Sequence, residues 1–293
     1  VNEKLIKLAL ISAAIISILT TFGILFSILF EAIEFFKLRS FWYFITGATW
    51  SPGVIGSQFG ALPIFAGTFV ITIIALGVAI PIGLGSAIYM SEYASATVRD
   101  YLKPLLEILA GIPTVVYGFF AAITVAPLVV QIAEFFGLEA TFNSALASGV
   151  VMGIMIIPVI SSLSDDVIRA VPDSQRKAAF ALGMTHGETI KNIVLPSAMP
   201  GIISASLLGL SKALGETMIV VMAAGLRPNL SWNPLEDMTT VTVTIVNSLV
   251  GDFEFNSPET LSAFALGLIL FIVTLILNMI SLSLIRKFKE KYK

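Results

Sequence analysis

The chain has 293 residues, of which 57% are hydrophobic and only 12% are charged, and its formal net charge is −2. A soluble domain usually has about 45–50% apolar and about 25% charged residues, so this composition excludes an ordinary water-soluble protein and predicts a membrane protein. The sequence has no cysteine and one histidine, His186, which excludes disulfides, thiolate metal sites and histidine-cluster zinc sites. We therefore expect this chain to bind no metal and no cofactor.

Six stretches are long and apolar enough to cross a bilayer as helices, which takes roughly 20 residues each. In chain order they are Leu8–Phe30, Ile64–Met90, Ile108–Val130, Ala145–Leu163, Gly201–Leu226 and Leu261–Ile285. The apolar core of the first is too long for a signal peptide, and no small-residue cleavage site follows it. The sequence thus predicts an all-α polytopic membrane protein, one domain over residues 1–293 with its core at 62–285.

Lysine and arginine are distributed unevenly between the two sides that these spans define. The side that carries both termini has thirteen of them: Lys4, Lys7, Arg99, Lys103, Arg169, Arg176, Lys177, Lys191, Arg286, Lys287, Lys289, Lys291 and Lys293. The opposite side has three, Lys37, Arg39 and Arg227, and Lys212 lies within a span. Because cytoplasmic loops carry the excess of basic residues, both termini are predicted to be cytoplasmic.

This orientation makes Glu31–Leu62 and Arg227–Thr260 the long external connections. Trp42 and Trp50 in the first are placed for an aromatic belt at the membrane interface. Met238–Val250 in the second is apolar but too short to span, which indicates a re-entrant or interfacial segment. The longer cytoplasmic connections are Ser91–Glu107 and Ser164–Ala198.

The connection over residues 164–198 has helix signals of its own. Pro172-Asp173 is typical of a helix start and Gly183 of a helix end. A second helix is predicted to begin at Thr185, which forms a capping box with Glu188, and to close at Leu195-Pro196. We interpret Asp165 and Asp166 as a solvated helix end, and His186 as a surface or subunit contact without chemistry. By these signals alone the segment is either a solvated loop or a rigid element that receives force from a partner.

The spacing within this connection resembles the EAA loop of ABC-importer permeases, E-A-A-x3-G-x9-I-x-L-P. The matching residues are Ala178, Ala179, Gly183, Ile193, Leu195 and Pro196, and Lys177 stands where that family usually has glutamate. The resemblance implies that residues 164–198 form the coupling helices that dock on a separate ATPase subunit. No Walker A pattern occurs in the sequence, so ATP would be bound and hydrolysed on that partner.

Two membrane segments are similar to the signatures of the phosphate-specific permeases PstC and PstA. They are Gly111–Phe120, which reads GIPTVVYGFF, and Lys212–Met218, which reads KALGETM; both are closer to PstC. The resemblance implies the type I permease fold in the cytoplasmic membrane of a bacterium or archaeon. It also implies a PstA-like second permease subunit, a dimer of PstB-like ATPase subunits and an external PstS-like phosphate-binding protein, with no nucleic-acid partner.

Lys212 and Glu216 are the charges within the fifth span. They are four residues apart in a predicted helix, so they lie on one face of it. Ionisable groups at membrane depth usually face a cavity or a partner, so both are predicted to line the phosphate path, together with Ser211 and Thr217. Phosphate keeps a P–OH at neutral pH and sulfate does not, so Glu216 could accept from phosphate and repel sulfate. The alternative is a buried ion pair between Lys212 and Glu216 that only neutralises both.

Gly111, Pro113 and Tyr117 mark a helix break in the third span. Breaks at membrane depth are tolerated where they line a cavity, which indicates a gate, and a packing kink is the alternative. A permease for another oxyanion remains an alternative, and two other classes of function remain open. A proton-coupled secondary transporter usually contains inverted repeats, and none is evident here. An intramembrane enzyme would need a nucleophile and base, or metal ligands, which one pair of charges does not supply.

Overall fold

The computed structural model of the chain describes residues 3–53, 56–250, 254 and 256–291. This part of the chain is almost entirely helical. Its helices are α1 (Glu3–Leu38), α2 (Phe41–Thr46), α3 (Leu62–Ile88), α4 (Ala96–Ala110), α5 (Thr114–Phe120), α6 (Ala126–Phe135), α7 (Ala145–Arg169), α8 (Asp173–Ala181), α9 (His186–Thr189), α10 (Leu195–Leu214), α11 (Met218–Ala223), α12 (Val241–Val250) and α13 (Pro258–Lys291). Two short strands, β1 (Trp50–Ser51) and β2 (Gln58–Phe59), pair antiparallel.

The described residues include six helical segments long and apolar enough to span a membrane, as the sequence predicts. They are Glu3–Leu38, Leu62–Tyr93, Thr114–Phe135, Ala145–Arg169, His186–Leu214 and Pro258–Ser283. Several predicted bounds were wrong, and two of them fall at breaks in the chain. The third span begins at Thr114 rather than Ile108, because the chain breaks at Gly111–Pro113 and the preceding residues belong to α4. The fifth ends at Leu214 rather than Leu226, because the helix breaks again before α11.

Wide helical turns let two spans continue past proline. Residues Ala121–Val125 and Ile190–Val194 form single π-turns, directly before Pro127 and Pro196. Proline lacks an N–H and its ring clashes with the carbonyl four residues earlier, and the wider turn accommodates both defects. The second loop helix was predicted to close at Leu195-Pro196. This was wrong, because the helix continues through the π-turn into α10.

The chain forms two compact units, Val1–Leu62 with Thr244–Ile272, and Pro63–Val243 with Val273–Lys293. The expectation of a single domain over residues 1–293 stays a prediction. In the first unit Phe35, Phe44 and Phe59 are fully or almost fully buried and meet edge to face, with ring centroids 5.1–5.5 Å apart. Trp50 joins them from β1, whereas Trp42 is 74% exposed. The interfacial belt of these tryptophans stays a prediction.

The second unit is built around α7, which packs against α3 and α10. Close approach is possible because small residues face both neighbours: a Cβ on Gly153 would lie 2.8 Å from the Ala75 carbonyl oxygen, and one on Gly209 3.0 Å from Ile156 Cγ2. Small residues at contacts let membrane helices bring their backbones together and gain dispersion energy. The apolar core of this unit joins α3, α5, α7 and α11 and positions both helix breaks.

Candidate functional site

The segment with the EAA-like spacing forms two helices joined by a tight bend. Helix α8 ends in a Schellman arrangement: Met184 N–H donates to the Ala179 carbonyl (3.1 Å) and Gly183 N–H to that of Phe180 (2.9 Å). Gly183 has φ +82°, a left-handed conformation that favours glycine. Helix α9 begins with the predicted capping box of Thr185 and Glu188. The helix–bend–helix prediction is confirmed.

An apolar cleft of about 460 Å³ opens between α8 and the junction of the π-turn Ile190–Val194 with α10. Four of the seven predicted coupling residues line it, Ala178, Ala179, Ile193 and Pro196, together with Leu182 and Met184. Leu182 is 83% exposed at its edge. The other three lie outside it: Lys177 and Gly183 are exposed, and Leu195 packs against the apolar cluster between α3, α7 and α10. The exposed apolar cleft is suited to receive a protein partner.

Arg176 ties α8 to the rest of this unit. Its Nη2 donates to Glu92 Oε1 (2.8 Å) and to the Ile168 carbonyl (2.9 Å), and its Nη1 donates to the Val171 carbonyl. Glu92, at the end of the second span, is almost buried, with 6% of its side chain exposed. Through Arg176, α8 is therefore joined both to the end of the second span at Glu92 and to the carbonyl groups at the end of α7.

The two aspartates after the fourth span differ, and the expectation of a solvated helix end was wrong for Asp165. The Asp165 side chain is fully buried and accepts from Arg99 Nη2 at 3.1 Å. Asp166 is 54% exposed and pairs with Lys103 at 2.7 Å. An exposed pair contributes only about 0–1 kcal/mol, whereas losing one partner of a buried pair costs about 3–5 kcal/mol. Asp165 is therefore the residue that fixes α4 on α7.

The sequence argument assigned no function to Arg176, Glu92 or Arg99. The available signal was the alternation of single acidic and basic residues after the second and fourth spans. His186 packs edge to face on Tyr93 (5.1 Å), and its Nε2 lies 3.8 Å from Glu92 Oε2. His186 is thus an exposed residue that also makes contacts within the chain, which agrees with its interpretation as a surface residue; a subunit contact stays a prediction.

Lys212 and Glu216 do not share one helix, and that part of the prediction was wrong. Helix α10 ends at Leu214, and Gly215–Thr217 is a break before α11. Glu216 Oε1 accepts from the backbone N–H of Met218 (3.0 Å) and of Ile219 (3.3 Å). A carboxylate at the start of a helix satisfies N–H groups that have no partner within the helix, so Glu216 stabilises the start of α11.

Glu216 is 8% exposed, and its backbone carbonyl accepts from Thr242 Oγ1 at 2.8 Å. Lys212 is half-buried and forms no ion pair or hydrogen bond with another described residue, so the predicted alternative of a Lys212–Glu216 ion pair is not formed in this structure. Thr217 is half-buried at the break, and Ser211 is half-buried on α10. The geometry leaves one ammonium at membrane depth without a counterion among the described residues.

The break in the third span lies against α11. Gly111 ends α4 and Pro113 precedes α5, and Tyr117 Oη donates to the Leu109 carbonyl across the break at 2.9 Å. A Cβ on Gly118 would lie 3.0 Å from the Met218 carbonyl oxygen, so α5 and α11 are in direct contact. The structure thus brings the predicted gate and the Glu216 break together, a proximity that the sequence did not show.

In the same unit, residues 229–238 are bound to the start of α7. Ala145 N–H donates to the Glu236 carbonyl at 3.1 Å, and Leu146 N–H to that of Pro234 at 2.8 Å. Hydrogen bonds from Asn229, Asn233 and Ser231 hold the pKa of the Glu236 carboxyl below its usual range. These hydrogen bonds fix the connection that follows α11 against the start of α7.

The comparisons with known proteins agree on one class of protein, the membrane permeases of binding-protein-dependent transport systems. The family of inner membrane components of binding-protein-dependent transport systems matches residues 79–291. The chain is 34% identical over 250 residues to the probable ABC transporter permease protein YqgH of Bacillus subtilis, covering 85% of this chain and 78% of that protein. It is 31% identical over 276 residues to the phosphate transport system permease protein PstC 1 of Mycobacterium tuberculosis, covering 84% and 82%.

A solved bacterial ABC transporter involved in the import of the acidic polysaccharide alginate is similar in structure. The TM-score is 0.66 at 16% identity, with 97% of this chain and 98% of that chain covered. The inward-facing MetNI methionine ABC transporter gives a TM-score of 0.56 over 78% of this chain. These likenesses confirm the predicted fold class.

Proposed function

We propose that this chain, which belongs to the family of inner membrane components of binding-protein-dependent transport systems, is the phosphate-translocating permease of an ATP-driven importer. The observation that supports an anionic substrate is the ammonium of Lys212, which is unpaired in the described part of the chain. An ammonium at membrane depth costs at least about 2.5–3.5 kcal/mol on insertion scales, and none of the described residues neutralises it. An anionic substrate that passes the break at Gly215–Thr217 would supply the missing counterion.

Phosphate is the proposed anion because several relatives that align with most of this chain are named phosphate transport system permease proteins. PstC of Mesorhizobium japonicum is 34% identical over 252 residues, covering 80% of this chain and 75% of that protein. In the phosphate permeases the position of Lys212 is usually arginine, and lysine binds phosphate as a point charge rather than through two parallel hydrogen bonds. Glu216 Oε2 has no hydrogen-bond partner among the described residues, so it is the atom proposed to accept from the P–OH of phosphate.

The coupling role belongs to the cleft between α8 and the second loop helix. An ATPase subunit docked in this cleft would push on α8, and the Arg176–Glu92 pair would transmit the force to the ends of α3 and α7. The second loop helix continues into α10, whose last residues include Lys212, so the same push reaches the substrate path. The proposed partners are a PstB-like ATPase dimer, a PstA-like second permease and an external PstS-like binding protein.

The test is uptake of radiolabelled phosphate by proteoliposomes that contain the assembled importer and its binding protein. Uptake is expected only with ATP on the ATPase side, and excess unlabelled phosphate should abolish it while sulfate should not. ATP-independent uptake driven by a pH gradient would instead support a proton-coupled secondary transporter. Equal competition by phosphate and sulfate would contradict the substrate assignment.

The proposed orientation places both termini and α8 in the cytoplasm, from the excess of basic residues on that side. Reporter fusions at Gly137 and Asn233 are expected to be external, and one at Ser174 cytoplasmic. Paired reporters, active on only one side of the membrane each, measure this directly. A cytoplasmic signal at Asn233 would contradict the orientation.

A further inference from the structure

Two threonines at the start of α12 reach the helix break at Glu216. Thr242 Oγ1 donates to the Glu216 carbonyl at 2.8 Å, and Thr240 Oγ1 lies 3.0 Å from Thr242 Oγ1. A hydroxyl has one proton to donate, and a carbonyl can only accept. Because Thr242 gives its proton to the carbonyl, Thr240 must be the donor in the hydrogen bond between the two threonines. A chain of two hydrogen bonds therefore runs from Thr240 through Thr242 to the break.

The segment that carries these threonines is held against α3, within the same unit. The backbone N–H of Val241 donates to Thr68 Oγ1 on α3 at 3.0 Å. Gly67 lets the segment approach α3 closely, because a Cβ there would lie 2.2 Å from the Thr239 carbonyl oxygen. Residues 239–242, the threonine strap, therefore have a fixed position from which Thr242 contacts the break.

Burial makes the hydrogen bond from Thr242 important to the break. Glu216 is 8% exposed, and it lies between α10 and α11, where helical hydrogen bonding does not reach its carbonyl. Within the described part of the chain, Thr242 is the one residue that donates to this carbonyl. A buried carbonyl that loses its donor is destabilised, so the peptide group after Glu216 would turn toward another donor or toward water. Because that peptide group adjoins the Cα of Glu216, such a turn redirects the carboxylate.

We propose that Thr242 is a positioning residue for Glu216, which holds the carboxylate where it accepts from phosphate. The inference rests on the proposed function, which places that carboxylate in the substrate path. Thr242 acts on the backbone of Glu216, and Thr240 orients the hydroxyl of Thr242, so neither has to touch the anion. Hydrogen bonds in such a chain polarise and strengthen one another at low dielectric, which favours a single orientation of the break.

The first test is initial uptake of radiolabelled phosphate by proteoliposomes that contain the complete importer. Thr242→Val keeps the shape and removes the hydroxyl, and it is expected to lower uptake by about threefold to tenfold. Thr242→Ser keeps the hydroxyl and should restore most of the uptake. Thr20→Val is the matched control, because Thr20 is exposed on α1 and donates to the Ile16 carbonyl of its own helix at 2.8 Å. Uptake by Thr242→Val equal to that of Thr20→Val would overturn the inference.

A double-mutant cycle shows whether Thr242 acts through Glu216. In an importer that carries Glu216→Gln, the carboxylate to be positioned is gone, so Thr242→Val is expected to have a clearly smaller effect than in the unmodified chain. Equal fold-changes in the two backgrounds would mean that Thr242 only supports the fold, and would contradict a positioning role.

The position of the break can also be measured without any substrate. The chain has no cysteine, so Thr217→Cys places a single thiol beside Glu216. Adding Thr242→Val is expected to change the rate at which a methanethiosulfonate reagent modifies this thiol by about threefold to tenfold, whereas adding Thr242→Ser or Thr20→Val leaves it unchanged. A changed rate in an importer that does not carry phosphate would contradict only the proposed function. Phosphate uptake by the unmodified importer together with an unchanged rate would contradict only this inference.

Discussion

Replacing Gly183 with tryptophan is expected to abolish substrate-stimulated ATP hydrolysis by the assembled importer while the chain still inserts into the membrane. Gly183 forms the exposed bend between α8 and α9, and a Cβ added there meets no atom within 4 Å. The indole would therefore project outwards beside the cleft instead of disturbing the fold. Phosphate-stimulated ATPase activity in proteoliposomes measures the effect.

The left-handed conformation of Gly183 needs its own control, because a side chain there is strained by about 1–2 kcal/mol. Gly137, in the connection after α6, has a similar φ of +71° and equally open surroundings. Gly137→Trp carries the same strain and the same indole but lies outside the coupling segment, so normal coupling is expected. Gly183→Asn tests strain from the other direction, since asparagine tolerates this conformation and should keep most of the activity. Full coupling in Gly183→Trp would refute docking at this bend.

Lys212→Gln is expected to reduce phosphate uptake by about tenfold to a hundredfold without preventing assembly, because it removes a charged hydrogen-bond donor worth about 1.5–3 kcal/mol. Lys212→Arg should keep much of the uptake, since it keeps the charge. Lys37→Gln is the control: Lys37 is an exposed lysine paired with Glu34, and such pairs contribute little. Initial rates of radiolabelled uptake, normalised to assembled complex, give the comparison.

Glu216 provides the second half of this experiment. Glu216→Gln keeps a side-chain oxygen that can accept from the N–H groups of Met218 and Ile219, so α11 should still begin correctly. Loss of the negative charge is expected to raise sulfate uptake relative to phosphate. Since Lys212 and Glu216 form no ion pair in the structure, combining Lys212→Gln with Glu216→Gln should not restore uptake. A fully active double variant would show that the two charges only neutralise each other.

The span count and the helix–bend–helix structure after the fourth span were predictable from the sequence, and the side preference stays a prediction. Each depends on local signals: runs of apolar residues as long as the bilayer is thick, the side on which lysine and arginine collect, and the capping residues at Thr185, Glu188 and Gly183. The predicted helix end at Pro196 was wrong, because the helix passes through a π-turn before this proline and continues into α10. Local propensity does not show whether the preceding turn will widen, since packing decides that.

The sequence by itself therefore determined that this chain is a six-span membrane protein with a helix–bend–helix segment of EAA-like spacing. Only the tertiary structure decided what the charged residues do. A helix break separates Lys212 from Glu216, and its position depends on the surrounding helices. Asp165 is buried against Arg99, and Arg176 attaches α8 to Glu92; both pairs join residues that are distant in the chain. The physical reason is that a charge at low dielectric is governed by its nearest partners in space, and helical periodicity orders only neighbours within a few turns.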